Sequence, residues 1–285
     1  METVERLNLP NCLRLSNGEI ELIVTTDVGP RIIGYSFVGG ENVLGEHLQA
    51  AVETALGTFK PYGGHRLWIA QENMPNSYAP DNQPVEHFYN QTENSVRLAQ
   101  SVEPVTKTQK EILIKLDETG SGVLIKHRIT NLGEKTIELA AWALTIMRGG
   151  GICEIPNEPF AAYGSHTLLP VRNLSLWSYT DFTDSRWQFD KGFIRLKTDS
   201  SKPEPQKIGV LNKQGWAAYR VENLRFIKRF AYVEGANYPD MNSNTELYTA
   251  GDFIEIESLA PLCNLASGEA TEHLERWELT AVDES

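Results

Sequence analysis

The run Phe253-Ile254-Glu255-Ile256-Glu257-Ser258-Leu259 sets two carboxylates two residues apart. In an extended chain successive side chains point to opposite faces, so Ile254 and Ile256 share one face and Glu255 and Glu257 the other. With the isoleucines in a core, both carboxylates face a cleft or solvent. A carboxylate in a partly dehydrated cleft has a raised pKa, which suits a general base near neutral pH. The plainer alternative is a solvated strand face. A second candidate stands in Gly63-Gly64-His65-Arg66-Leu67-Trp68, where an imidazole lies beside a cation and an aromatic ring. Such a histidine serves as a proton donor, or simply bonds to backbone.

Aromatic residues recur near expected turns: Trp68, Trp142, Trp177, Tyr179, Trp187, Trp216 and Tyr238. Sugars pack their C–H faces on such rings, and their hydroxyls need polar partners. Arg66, Glu72, Asp81, Asn82, Lys228 and Asp240 are the polar candidates. Several of the aromatics must instead be core. His127 shares a strand face with Val123, Ile125 and Ile129 and reads as a satisfied core histidine. His273, with Glu275 and Trp277, reads as structural. No two histidines have ligand spacing, so no metal is expected. Asp240-Met241-Asn242-Ser243-Asn244 resembles the start of a calcium loop, but Thr245 and Gly251 occupy the diagnostic sixth and twelfth positions. There is no phosphate-binding glycine loop before a helix and no Gly-x-Ser-x-Gly elbow.

These residues need a scaffold, and the sequence reads as strand after strand. Period-2 patterns or β-rich runs predict strands over 19–26, 31–37, 96–102, 110–117, 123–130, 193–197, 207–211, 216–222, 224–232, 253–259 and 271–280, with another ending at Trp142. Glu118-Thr119-Gly120-Ser121-Gly122 predicts a hairpin. The one helix expected covers 46–56. The stretch 60–90 reads as a long irregular segment of the kind that often carries function. Many short strands with Gly, Asn and Pro turns imply an all-β sandwich or barrel. No repeat or linker divides the chain, so residues 1–285 are expected to form one domain.

The chain has 285 residues, a net charge of −12 and 41% hydrophobic residues, enough for a substantial core. A surface this acidic repels phosphate backbones and anionic lipid, so neither nucleic acid nor membrane is an expected partner. No apolar run spans a bilayer, and the charged start carries no secretory h-region. Cys12, Cys153 and Cys263 are odd in number and far apart, as expected for reduced thiols in a cytoplasm. Composition says nothing of the oligomeric state.

The order of motifs resembles the aldose 1-epimerases, or galactose mutarotases. Asn17-Gly18-Glu19-Ile20-Glu21-Leu22 with Asp27-Val28-Gly29-Pro30-Arg31-Ile32 is similar to their opening hairpin. Thr130-Asn131-Leu132-Gly133-Glu134-Lys135-Thr136 is similar to their central turn. The run from Phe253 to Ser258, then Leu265-Ala266-Ser267-Gly268-Glu269, His273 and Trp277, resembles their last strands. Gly64-His65-Arg66-Leu67-Trp68, Leu174-Ser175-Leu176-Trp177-Ser178-Tyr179-Thr180-Asp181 and Tyr238-Pro239-Asp240 point to an uncharacterised branch.

The resemblance implies a twisted antiparallel super-sandwich with a sugar cleft on one concave sheet. Its base is a Glu followed by a small hydroxyl residue, which maps to Glu257. Its acid is a histidine in a stretch that here reads Leu139-Ala140-Ala141-Trp142-Ala143-Leu144 and contains none. His65 is the expected substitute, and Arg66 substitutes in the sugar clamp. The expected site is therefore Glu257 and His65 as catalytic groups, with Arg66, Trp68, Glu72, Asn82, Trp142, Lys228, Tyr238, Asp240 and Glu255 binding a monosaccharide or sugar derivative. No cofactor is expected. The expected activity is interconversion of sugar anomers. Carbohydrate binding without turnover and glycoside hydrolysis are the alternatives.

Overall fold

Alternation of apolar and polar side chains builds most of the molecule. Thr108–Leu116 buries every second residue, including Ile112, Ile114 and Leu116, and Val123–Asn131 does the same with Val123, Ile125, His127 and Ile129. The two pair antiparallel with Ile114 opposite Ile125, and Gly120, at φ +76°, sits in the hairpin between them. An edgewise shift by one residue would turn the whole apolar set outward, which fixes the register.

The computed structural model describes residues 1–47, 50–164 and 168–282. Two antiparallel sheets of eleven and ten strands face each other among these residues. In the first, His65–Ala70, Ile137–Met147, Ile254–Leu259, Thr245–Thr249 and Gln206–Val210 lie side by side in that order. In the second, Val123–Asn131, Ala270–Ala281, Leu224–Phe230 and Trp216–Val221 are neighbours. Leu15, Leu22, Ile32, Ile114, Ile125, Leu247, Ile254, Ile256 and Trp277 fill the space between the sheets. This is an all-β architecture of two large antiparallel sheets.

The central strand Ile137–Met147 is buried from Leu139 to Met147, on both faces. Leu139, Ala141 and Met147 join the core between the sheets. Ala140, Trp142 and Leu144 point the other way and pack with Phe59, Trp68, Ala70 and Leu259. A strand buried on both faces shows no alternation, so its sequence alone does not tell its faces apart.

Residues 46–56 do not form the expected helix. Glu46–His47 and Val52–Thr54 are short strands, the latter in a hairpin with Gly57–Phe59; residues 48 and 49 lie outside the described ones. Gly57 closes that hairpin at φ +117°, a geometry that favours glycine. The stretch 60–90, read as irregular, contains the inner strand His65–Ala70. Cys12, Cys153 and Cys263 are unpaired. Among the described residues no helix is long and apolar enough to cross a membrane.

Candidate functional site

Strand register brings one group of side chains to one face. On Ile137–Met147, Leu144 stands opposite Arg66 on one neighbour and Glu257 on the other. Trp142 stands opposite Trp68. Beyond Glu257 comes Glu246, and beyond Glu255 come Tyr248 and then Lys207. These residues, except Glu246, line a cavity of about 340 Å³ with Glu72 and Tyr78 from the following loop and Tyr179 from across the opening. That volume is at the small end of ligand pockets, which run from about 300 to 1,000 Å³.

Glu257 sits on the cavity floor with 1% of its surface exposed. Its Oε2 accepts hydrogen bonds from Trp142 Nε1 at 2.7 Å and Lys207 Nζ at 3.2 Å. Its Oε1 has no partner among the described residues. Burial raises the pKa of Glu257; Lys207 pulls it back and Glu255 raises it further, and the net direction is up. Lys207 stands over the rings of Trp142 and Trp177, its Nζ 5.0 and 4.7 Å from their centroids. Burial pulls its ammonium down, but adjacent Glu257 and Glu246 outweigh that and hold it well above the usual range. Arg66 Nη2 donates to Glu255 Oε1 at 3.2 Å, and its guanidinium lies 4.5 Å from the Trp68 ring centre. Tyr78 donates to Glu72 at the rim. A carboxylate held this way can take a proton from a bound hydroxyl.

The structure thus brings together Glu257, Arg66, Trp68, Glu72, Trp142 and Glu255. It does not bring His65, Lys228, Asn82, Tyr238 or Asp240 to the cavity. His65 is the main correction. It stands opposite Thr145, one residue out of phase with Arg66 and Leu144, and so points between the sheets. It is fully buried, with Nε2 at 2.7 Å from His127 Nε2 and Nδ1 at 2.9 Å from Thr145 Oγ1. Lys228 is buried in the same layer and donates to Ala143 O, Thr145 Oγ1 and Ile256 O, with Glu275 Oε1 at 2.8 Å. Asn82 donates to the Thr58 carbonyl. The Tyr238 hydroxyl accepts from Val233 N–H, and Asp240 lies in the short turn Pro239–Asn242 at φ +50°.

His65, His127 and Glu275 present donor atoms within 4.8 Å of one another, the one such group among the described residues. Their atoms are committed to each other and to neighbours. His127 Nδ1 faces the His273 carbonyl at 3.1 Å and so carries hydrogen. Its Nε2 then accepts from His65 Nε2–H, and His65 Nδ1 accepts from the Thr145 hydroxyl, which in turn accepts from Lys228. Glu275 Oε2 accepts from Trp277 Nε1 at 2.8 Å, and Oε1 from Ser258. A 2.7 Å nitrogen separation is a hydrogen bond; two ligands about 2.0–2.1 Å from one tetrahedral ion stand farther apart.

The sequence reading missed Lys207, Glu246, Tyr248 and Tyr78 as site residues. The signal was present in Thr245-Glu246-Leu247-Tyr248-Thr249, where Leu247 enters the core and Glu246 and Tyr248 take the opposite face. The same parity in Gln206–Val210 puts Ile208 and Val210 in the core and Lys207 over the cavity.

No protein-family model matches the sequence, and no curated protein does. Solved structures do match. A putative aldose 1-epimerase from Escherichia coli K12 is 14% identical with a TM-score of 0.58, over 95% of this chain and 99% of that one. A galactose mutarotase-like protein from Lactobacillus casei ATCC 334 is 9% identical with a TM-score of 0.60, over 95% and 100%. A TPR-domain containing protein from Parabacteroides distasonis ATCC 8503 is 13% identical with a TM-score of 0.62, over 94% of this chain. The chain spans about half the length (47%) of that protein. At these identities the likeness is one of fold.

Proposed function

We propose, from the galactose-mutarotase-like fold of the chain and the carboxylate on its cavity floor, that the protein binds a monosaccharide or sugar derivative and interconverts its anomers by acid–base ring opening. Glu257 carries this reading: it is buried on the cavity floor, its proton affinity is raised, and its Oε2 is anchored by Trp142 and Lys207. Glu257 removes the proton of the anomeric hydroxyl. A second group protonates the ring oxygen, the ring opens, the aldehyde turns, and the ring recloses on either face.

His65 is out of reach, so the proton donor is drawn from the phenols of Tyr179 and Tyr248 on the cavity wall. Burial pushes Tyr179 up to about 12 and raises Tyr248 as well, so both keep their protons at neutral pH. Trp68 and Trp142 offer apolar surface, and Arg66, Glu72 and Glu255 meet hydroxyls. Each acid–base group contributes about 10²–10⁴-fold, enough for a reaction that already proceeds slowly in water.

The test is saturation-transfer NMR exchange between α and β anomers across free and phosphorylated aldoses, with wild type and Glu257→Gln. Accelerated exchange, lost in the variant, is expected. Sugar binding without acceleration would favour the second reading, a carbohydrate-binding protein without turnover. That reading is supported by the cavity lining, which contains no histidine among the described residues. Glycoside hydrolysis is disfavoured, because Glu255 and Glu257 project from one strand face while hydrolysis uses carboxylates on either side of the bond.

A further inference from the structure

Glu246 has no part in the scheme above. It stands directly opposite Glu257 across the pairing of Thr245–Thr249 with Ile254–Leu259 and is wholly buried beneath the cavity. Lys207 Nζ bridges the two, 2.8 Å from Glu246 Oε2 and 3.2 Å from Glu257 Oε2. Glu246 Oε1 and Glu257 Oε1 have no hydrogen-bond partner among the described residues. Two ionised carboxylates against one ammonium would leave a net negative charge out of water, which proteins avoid by retaining a proton. One proton on the pair makes the group of three neutral. It also satisfies orphan oxygens with an O–H···O⁻ bond, one of the strong charge-assisted kind.

We propose that Glu246 holds one proton shared with Glu257, making Glu246 the positioning residue that keeps Glu257 ionised and aimed at the cavity. The role in catalysis rests on the acid–base reading above; the shared proton does not. The charged surroundings agree. Burial acts first on Glu246, and Glu257 and Asp240 push in the same direction as burial, against Lys207. Glu255, the next carboxylate on the Glu257 strand, also favours a proton on the pair, while Glu72 at the rim acts on Lys207. Gly209, opposite Glu246 on its other side, offers no side chain to share the charge. The pair therefore loses its protons in two steps that belong to both residues together.

Difference infrared spectroscopy of the full chain at neutral pH reads the proton directly. A protonated carboxyl band in wild type, lost in Glu246→Gln and also in Glu257→Gln, is the expected result. Absence of that band in wild type, or its persistence in Glu246→Gln, overturns the proposal. If Glu246→Gln does not fold, wild type and Glu257→Gln decide the matter. In anomer exchange, Glu246→Gln is expected to lose the alkaline limb of the pH–rate profile, a change that loss of packing alone would not produce. A band in wild type with no exchange for any sugar would sink the epimerase reading and leave the shared proton standing; exchange without a band would do the reverse.

Discussion

Lys207 is the residue on which the proposed chemistry turns, because it is the largest influence holding the proton affinity of Glu257 down against burial. Replacing it with methionine keeps the length and removes the charge. Glu257 is then driven toward its protonated form, so Lys207→Met is expected to lower the neutral-pH exchange rate by about 10²-fold and to recover part of it as pH rises. A pH–rate profile measures both effects. Tyr248→Phe removes one candidate proton donor and is expected to lower kcat with little change in KM, as for a group whose contribution is made in the transition state. Parity placed Glu255 and Glu257 on the face opposite Ile254 and Ile256, with a solvated face as the plainer reading, and the family resemblance then singled out Glu257. Lys207 was legible by the same rule but carried no motif to draw attention to it.

The strand His65–Ala70 shows where an element resists reading. It is buried on both faces, so histidine and arginine sit side by side with no apolar alternation to say which one meets the cavity. Pairing decides it: Arg66 opposite Leu144 faces the cavity, and His65 opposite Thr145 faces the core. The entry to this strand is Gly64, at φ +64°, where a Cβ would lie 2.0 Å from the Ile32 carbonyl oxygen. Gly64→Ala is expected to destabilise the protein by about 1–3 kcal/mol from backbone strain alone, with the clash adding to it. Gly120→Ala, also at positive φ but with open space around it, is the control and should cost only about 1–2 kcal/mol. Urea unfolding of the two variants measures the difference.

At the scale of the whole molecule, the two sheets are joined through a polar layer in an otherwise apolar core. His65, His127 and His273 are all depressed, first by burial, with His273 pushed down to about 3. Burial raises Glu275, but the adjacent Lys228 ammonium acts against it and its carboxyl is held well below the usual range. Each imidazole is neutral in the folded state and takes up a proton more readily when unfolded. The unfolded chain therefore binds more protons below pH about 6.5, and stability rises with pH through that window. Stability is expected to be fully present above that value and to decline as pH falls toward 3, with the ionised Glu275 adding to the loss at the acid end. Urea midpoints between pH 4 and 8 check this. Lys228→Met leaves Glu275 in the core without its cation, as an uncompensated charge or a carboxyl that must take up a proton, and is expected to cost about 3–5 kcal/mol.

The fold class followed from the sequence because period-2 alternation and turn residues are local properties, written wherever one face of a strand is apolar and the other is not. The shared strand face of the two glutamates was legible for the same reason. What the tertiary structure decided was everything carried by pairing between distant strands. It set His65 and Lys228 into the inter-sheet layer, lined Lys207 and Tyr248 up with Glu255, and put Glu246 against Glu257. Inner strands have two buried faces, and a residue's side there depends on which neighbour it stands opposite, which no local pattern records.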